Sequence, residues 1–339
     1  MPRYQEILAA TFPGKETKIF DPADGFAPLA DLFTVTDATV AKRADRWWMF
    51  LAGKAASREG IQLFSASLPQ GAALAATGWR LTSEPGDSSR IAVLAGQAVS
   101  APWDLKGGRH CPSYVRGWDP QRGDWVERIY YAGGAAQVWG PYTIGYLEWD
   151  GNQWVDQPSP VFTPNEAWEH GSVYEPNLIY ADGRWKMWYA AGSNQEDYIV
   201  QGYAESLDGR SNWSRHKIVF APEEKVFDFC VVQTSGRYEA VFSRVWLAPT
   251  SPPATTGLWW CHAETPSSDM GDWSEPVQIM KAESAGWRTG PWKPSFHYSE
   301  TAPDLMLVFF DGVYKTSAGG PFPFVFTSGC LEIRRPDSI

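Results

Sequence analysis

The chain repeats one local pattern, in which two short apolar strands are joined by a tight turn. The clearest copy runs from residue 174 to residue 189, with Asp182 and Gly183 at the turn. Asp-Gly between two runs of alternating apolar residues is a strong signal for a β-hairpin with a two-residue turn. A repeated hairpin constrains the fold more than any other feature of this sequence, because each copy must find partners for its strands.

Four further copies align with this hairpin, at residues 36–50, 110–131, 227–242 and 292–310. A third apolar run follows the hairpin, for example at 61–65, 143–147 and 257–260, and a fourth run begins at Trp79, Trp154, Trp213 and Trp273. Five such units, about 50 to 75 residues apart, predict an all-β fold: a five-bladed β-propeller of four-stranded antiparallel blades. A pair of β-sandwiches is the alternative, which the aligned hairpins disfavour.

The hairpins place a single propeller domain at residues 35–339. Residues 1–34 are irregular and rich in Pro, Phe and Asp. A propeller must close its ring to remove exposed strand edges. We expect this N-terminal segment either to pack on a face of the propeller or to close it by supplying an outer strand, and the sequence leaves both options open.

Composition restricts the partners. The net charge of -10 and the pI near 5.1 exclude a basic stripe for nucleic acid. No apolar run approaches the length of a membrane span, and the N-terminus lacks the build of a signal peptide, so we expect a cytoplasmic protein without a membrane partner. The four cysteines are scattered, with no zinc-binding spacing, and are expected to be reduced thiols.

Each hairpin carries a polar or reactive residue at one equivalent position, just before its first strand. Aligned on the turns, this position holds Asp37, Cys111, Glu175, Asp228 and Lys293. In a propeller the first strand of each blade is the innermost one, so three carboxylates should point into one central funnel. Neighbouring carboxylates beside aromatic walls acquire different pKa values, as glycoside hydrolysis requires.

On this blade pattern, these carboxylates and the Ser206…Asp208-Gly209…Trp213 connector, the chain resembles the five-bladed propeller glycosidases of glycoside hydrolase families 43, 62, 32, 68 and 117. The resemblance implies inversion by a single displacement, with Asp37 as general base, Asp228 as general acid and Glu175 as the carboxylate that tunes the acid. The family pattern has Asp in blade three and Glu in blade four, the reverse of this chain. The alternative, with Glu175 as the acid and Asp228 as the modulator, therefore stays open.

Further residues on the loops and inner strands are candidates for substrate binding. We predict sugar contacts from Trp103, His110, Trp139, Trp168, His170, Trp292 and Lys293. Cys111 has no relay to activate it and is interpreted as a small residue lining the pocket. The resemblance implies that no cofactor is required. It also allows a structural calcium ion in the central channel, and His297 is a weak candidate for a residue near such an ion.

The leading hypothesis is a glycoside hydrolase acting on a short oligosaccharide or glycoside, with an arabinofuranoside or a β-xyloside favoured. Its partner would be a carbohydrate substrate. Two alternatives remain: a non-catalytic carbohydrate-binding propeller, and a transglycosylase or other small-molecule enzyme on the same scaffold. The sequence does not give the oligomeric state.

Overall fold

A computed structural model describes residues 14–95, 102–104, 108–134, 140–193, 198–216, 220, 225–234, 236–244, 254–282, 289–315 and 325–338. It confirms the predicted fold: five four-stranded sheets form a five-bladed β-propeller. The helices in these ranges are three-residue 3₁₀ turns at Pro22–Asp24, Leu29–Asp31, Pro102–Asp104, Ala167–Glu169, Met270–Asp272 and Pro336–Ser338. None of the helices described is long and apolar enough to cross a membrane.

The strands are numbered in chain order, and in blades one to four the first strand is the innermost. Blade one contains β2 (Leu32–Arg43), β3 (Arg46–Ala55), β4 (Gln62–Ser67) and β5 (Arg80–Leu81), and a small hairpin, β6 (Ser83–Glu84) and β7 (Asp87–Ile91), follows it. Blade two contains β8 (Gly108–Asp119), β9 (Asp124–Gly134), β10 (Tyr142–Trp149) and β11 (Trp154–Asp156). Blade three contains β12 (Val173–Ala181), β13 (Arg184–Ser193), β14 (Tyr198–Ser206) and β15 (Ser214–Arg215). Blade four contains β16 (Val226–Thr234), β17 (Arg237–Arg244), β18 (Gly257–Ala263) and β19 (Val277–Lys281).

Blade five joins the two ends of the chain. From the axis outward it contains β20 (Thr289–Tyr298), β21 (Leu305–Lys315), β22 (Val325–Arg334) and β1 (Lys15–Phe20). β1 pairs antiparallel with β22, with Lys15 opposite Glu332 and Thr17 opposite Cys330. Of the two roles that the sequence left open for the N-terminal segment, this part of it takes the outer strand, which covers the edge of β22.

Aromatic side chains pack with aliphatic ones in the hydrophobic clusters of the core. Trp185, Trp188 and Trp259 are fully buried. Much of the tryptophan surplus is therefore packing between sheets rather than sugar-binding surface.

The equivalent position found in the sequence coincides with a β-bulge in four of the inner strands. The strand register shifts between Thr36 and Thr39 in β2, and β8, β12 and β20 shift at the matching places. The first residue of each bulge has a left-handed backbone: φ is 60° at Asp37, 55° at Cys111, 50° at Glu175 and 44° at Lys293. Bulges re-aim side chains and cluster near active sites, which makes this ring of residues a candidate site.

Candidate active site

The five residues of the equivalent position form a continuous chain of contacts around the axis. The backbone N–H of Cys111 donates to Asp37 Oδ2 (2.9 Å), and the Cys111 thiol donates to Glu175 Oε1 (2.7 Å). Lys293 Nζ lies 3.0 Å from Glu175 Oε2, and the Lys293 backbone N–H donates to Asp228 Oδ2 (2.8 Å). The structure therefore brings together, from five blades, the residues that the alignment grouped.

A cavity opens onto this cluster, with about 710 Å³ of empty space including its mouth. Six of its fourteen described lining residues are aromatic, counting the His110 ring. The lining consists of Thr34, Thr36, Asp37, Ile61, His110, Cys111, Ala132, Tyr142, Tyr174, Glu175, Phe227, Trp292, Lys293 and Phe326. A concave, mainly apolar pocket with a few convergent polar groups is the usual form of a small-molecule site.

The three predicted carboxylates do not play equivalent parts in this cavity. Asp37 and Glu175 line it, and one oxygen of each lies within 4.8 Å of the other and of the Cys111 sulfur. Asp228 is not among the described residues of the lining. Its Oδ2 accepts hydrogen bonds from Ser243 Oγ (2.7 Å) and from the Lys293 backbone, so Asp228 lies behind the wall. This arrangement favours Glu175 over Asp228 as the group that meets a substrate.

Burial and crowding fix the charges of the cluster. Burial raises the pKa of Glu175 well above its ordinary value; the Lys293 ammonium opposes this shift, and the charges of Asp228 and Asp37 add to it. Burial alone would lower the pKa of Lys293, but Glu175 and the other acidic groups outweigh burial and raise it. One ammonium cannot balance all the buried carboxylates, and burial is the largest influence on Glu175, so the protonated form of Glu175 is favoured over that of an ordinary carboxyl group.

The Cys111 thiol is also protonated. Its burial, and the nearby charges of Asp37 and Glu175, raise the pKa of Cys111 well above the ordinary value. A protonated thiol can donate, which agrees with its contact to Glu175. Lys293 already supplies the cation of the cluster, and we assign no metal to it.

A fourth carboxylate belongs to the site, and the sequence analysis missed it. Asp311 lies on β21 and is 1% exposed. Its Oδ2 accepts from the backbone N–H of Asp37 and lies 3.0 Å from Thr36 Oγ1. The only signal in the sequence is an aspartate directly after the apolar run at 305–310.

Two of the predicted substrate-binding aromatic residues line the cavity. The His110 ring meets Tyr142 edge to face, with the ring centroids 5.4 Å apart. Trp292 packs between Phe227 and Phe326, at centroid distances of 5.8 and 5.3 Å. These residues, with Lys293, are the predicted substrate contacts that the structure places at the cavity.

The structure places Trp103 and Trp168 within the blades instead. Trp103 stacks on Tyr131 and covers Gly133 and Gly145, where an added Cβ would lie 2.2 and 2.5 Å from the Trp103 ring.

Trp168 covers Gly202 in the same way, with a centroid distance of 6.0 Å to Tyr189. His170 is exposed and ends the 3₁₀ turn Ala167–Glu169, outside the described lining of the cavity. Trp139 falls outside the described residues.

His297 lies on the other side of the ring, in the central channel. Its Nε2 is 2.6 Å from the carbonyl oxygen of Val40, and burial lowers the pKa of His297, so the ring is neutral. The described lining of this channel includes hydroxyls, amides, Lys42 and Arg116 but no carboxylate. Calcium selects several oxygen ligands, usually including carboxylates. The residues described there do not fit a calcium ion.

Together, the fold and the site define a five-bladed propeller whose blades direct acidic side chains into an aromatic cavity on the axis. No protein-family model matches the chain, and no curated protein matches it. Solved structures do match, and among them are several propeller glycoside hydrolases.

The catalytic domain of a family 62 α-L-arabinofuranosidase from Coprinopsis cinerea aligns with a TM-score of 0.60 and 13% identity, covering 94% of this chain and 96% of that one. A family 117 glycoside hydrolase from Zobellia galactanivorans aligns with a TM-score of 0.62 and 9% identity, covering 96% and 91%. A thermostable family 43 glycoside hydrolase aligns with a TM-score of 0.56 and 14% identity, covering 92% and 94%. The chain therefore has the fold of the five-bladed propeller glycoside hydrolases, as the resemblance predicted.

Proposed function

We propose that this protein hydrolyses the glycosidic bond of a short oligosaccharide or glycoside, with an arabinofuranoside or a β-xyloside as the preferred substrate. The observation that carries the proposal is the pair Asp37 and Glu175, which face one aromatic-walled cavity with oxygens within 4.8 Å of each other. Such a cavity suits a small substrate, in line with the cytoplasmic location expected from the sequence. The aromatic wall supplies faces on which a sugar ring can stack.

Glu175 is the proposed general acid. Burial raises its pKa, which favours the protonated form that a general acid needs, and its position in the lining lets it reach the glycosidic oxygen. Asp37 accepts hydrogen bonds from Thr36 Oγ1 (2.8 Å) and from the Cys111 backbone, which orient its carboxylate. Asp228, from behind the wall, and Lys293, within the lining, tune Glu175.

The approach of one Asp37 oxygen to within 4.8 Å of one Glu175 oxygen leads us to propose a retaining reaction, whereas the family resemblance implied inversion. Carboxyl groups about 5–5.5 Å apart are typical of retention, and about 6.5–9.5 Å of inversion, which must hold a water between the carboxylate and the sugar. In the proposed first step Asp37 attacks the anomeric carbon while Glu175 protonates the leaving oxygen, and the C–O bond breaks. Glu175 then deprotonates a water that attacks the same carbon and releases Asp37.

Hydrolysis of aryl furanosides and pyranosides by the wild type and two variants tests this function. Asp37→Asn and Glu175→Gln should each lower kcat by about 10³-fold or more, whereas Asp150→Asn, in an exposed turn, should leave it unchanged. ¹H NMR of the first-formed product reads its anomeric configuration. Retention agrees with the mechanism above, and inversion would assign the chemistry to a more distant pair of carboxylates.

A second candidate is a non-catalytic carbohydrate-binding propeller. The ion pair between Lys293 and Glu175 favours it, because an ammonium 3.0 Å away restrains the carboxyl that must donate a proton. Calorimetry with mono- and oligosaccharides discriminates the two. Binding at the cavity without turnover of any glycoside in the panel would support the second candidate.

A further inference from the structure

The Thr36 hydroxyl lies between two carboxylates from different blades. Thr36 Oγ1 is 2.8 Å from Asp37 Oδ1 and 3.0 Å from Asp311 Oδ2. Both separations are hydrogen-bond distances between oxygen atoms. All three side chains are buried, since none is more than 8% exposed.

A count of protons shows that one of the carboxyl groups is neutral. A hydroxyl has a single proton to donate, and an ionised carboxylate has none. If both carboxyl groups were ionised, Thr36 could donate to only one, and its other contact would place two oxygen lone pairs face to face. One carboxyl must therefore carry a proton and donate it to Thr36.

The surroundings identify Asp311 as the protonated group. Asp37 lines the cavity and accepts a second hydrogen bond from the Cys111 backbone, whereas Asp311 Oδ1 has no hydrogen-bond partner among the described residues. The charges that act on Asp311 are those of Asp37 on β2 and Asp228 on β16. On β20, Lys293 follows Trp292, the residue opposite Asp311, and its ammonium pairs with Glu175. Burial, with the charges of Asp37 and Asp228, raises the pKa of Asp311 well above its ordinary value, although the backbone N–H of Asp37 opposes the shift.

We propose that Asp311 is a permanently neutral positioning residue, which donates its proton to Thr36 so that the Thr36 proton is directed at Asp37. This inference rests on the proposed function of Asp37. Asp311 is not among the described residues that line the cavity. Its role is to hold Asp37 in its charged form and in one orientation. If Asp311 were ionised, the Thr36 hydroxyl could rotate and donate to Asp311 instead of Asp37. A neutral Asp311 keeps the Thr36 hydroxyl as a donor to Asp37.

Infrared difference spectroscopy tests the protonation without needing a substrate. At pH 7 the wild type should show the carbonyl band of a protonated carboxyl group that Asp311→Asn lacks. Glu175→Gln is the matched control: it removes its own band and should leave that of Asp311. No difference between the wild type and Asp311→Asn in this region would overturn the proposal, whatever the protein hydrolyses.

The pH dependence of stability provides a second measurement. The folded-state pKa of Asp311 is raised, so the stability that its protonated form contributes is complete below the ordinary carboxyl pKa and is lost as the pH rises toward the folded value. The Tm of Asp311→Asn relative to the wild type should therefore increase from pH 5 to pH 8. A Tm difference independent of pH would contradict a raised pKa.

Kinetics test the link through Thr36, with a matched pair of variants. Thr36→Val removes the hydroxyl, so the acidic limb of the pH profile of kcat/KM should move to higher pH and kcat should fall about tenfold. Thr36→Ser keeps the hydroxyl and should retain the wild-type profile.

Asp311→Asn, which is neutral like the protonated acid, should lose at most about tenfold in kcat, far less than Asp37→Asn.

The outcomes separate the two proposals. Failure to hydrolyse any glycoside, with the infrared band present, would reject the proposed function and retain a neutral Asp311. A loss of about 10³-fold in Asp311→Asn would instead show that Asp311 acts as an ionised group, and the positioning role would be wrong.

Discussion

Cys111 shows how a single residue can hold two carboxylates at once. Its backbone N–H binds Asp37, and its thiol binds Glu175. The left-handed backbone at Cys111, with φ of 55°, lets both groups face the axis. Cys111 was predicted only to line the pocket, since no activating relay was visible, and the structure adds these two contacts. The thiol is a hydrogen-bond donor here rather than a nucleophile.

Replacing Cys111 tests the thiol contact. Cys111→Ala keeps the backbone N–H but removes the donor to Glu175, so the acid should be less well oriented, with kcat lower by about tenfold. The loss should be larger for substrates with poor leaving groups, which need protonation, than for dinitrophenyl glycosides, which do not. The measurement is kcat against the pKa of the leaving group for both proteins.

Cys111→Ser is the control for this experiment, because it keeps a donor at the same position. It should lie close to the wild type for all leaving groups. Equal losses in Cys111→Ala for good and poor leaving groups would indicate that the thiol supports packing and not the acid.

At the scale of strands, the sequence could predict the ring because a two-residue turn fixes the register of the first hairpin in blades one, three and four. Counting back from Gly183 and Gly236 leads to Glu175 and Asp228, and the structure places both at the axis. Asp311 could not be found this way. It lies on a second strand, at no repeated position, and its partner Thr36 is 275 residues away in the chain.

Contacts between distant strands also explain why Trp103 and Trp168 were predicted to bind a sugar although they pack within the blades. Trp103 and Trp168 precede strands, as sugar platforms often do, but the glycines that receive them lie on other strands: Gly133 and Gly145 for Trp103, and Gly202 for Trp168. A packing tryptophan and a binding tryptophan therefore look alike until the strands are paired.

Two tryptophan variants should separate packing from binding. Trp103→Ala leaves a cavity over Gly133 and Gly145, so the free energy of unfolding should fall by about 2–4 kcal/mol with KM unchanged. Trp292→Ala opens the wall of the site, so KM should rise about tenfold or more with a smaller loss of stability. Urea unfolding measures the loss of stability in each variant, and KM for one aryl glycoside measures the loss of binding. A raised KM in Trp103→Ala would return Trp103 to the substrate contacts predicted from sequence.

At the scale of the whole molecule, ring closure and the site depend on the same seam between blades one and five. β1 completes the blade that contains β21 and β22. Across the seam, the Phe326 backbone N–H donates to Thr34 Oγ1 (2.9 Å), and Asp311 contacts Thr36 and Asp37. Asp37, the proposed nucleophile, is thus contacted by a strand from the other end of the chain.

Removing β1 should therefore affect both stability and activity. A variant that begins at residue 21 exposes the backbone N–H and C=O groups of the β22 edge, so its Tm should fall and it should self-associate. Activity should fall with it, because the seam that orients Asp37 loses support. A synthetic peptide of residues 14–20 should restore Tm and activity by pairing with β22, whereas a scrambled peptide should not. If the truncated chain matched the full chain in Tm, in elution volume on size exclusion and in kcat, β1 would not be needed for ring closure or for activity.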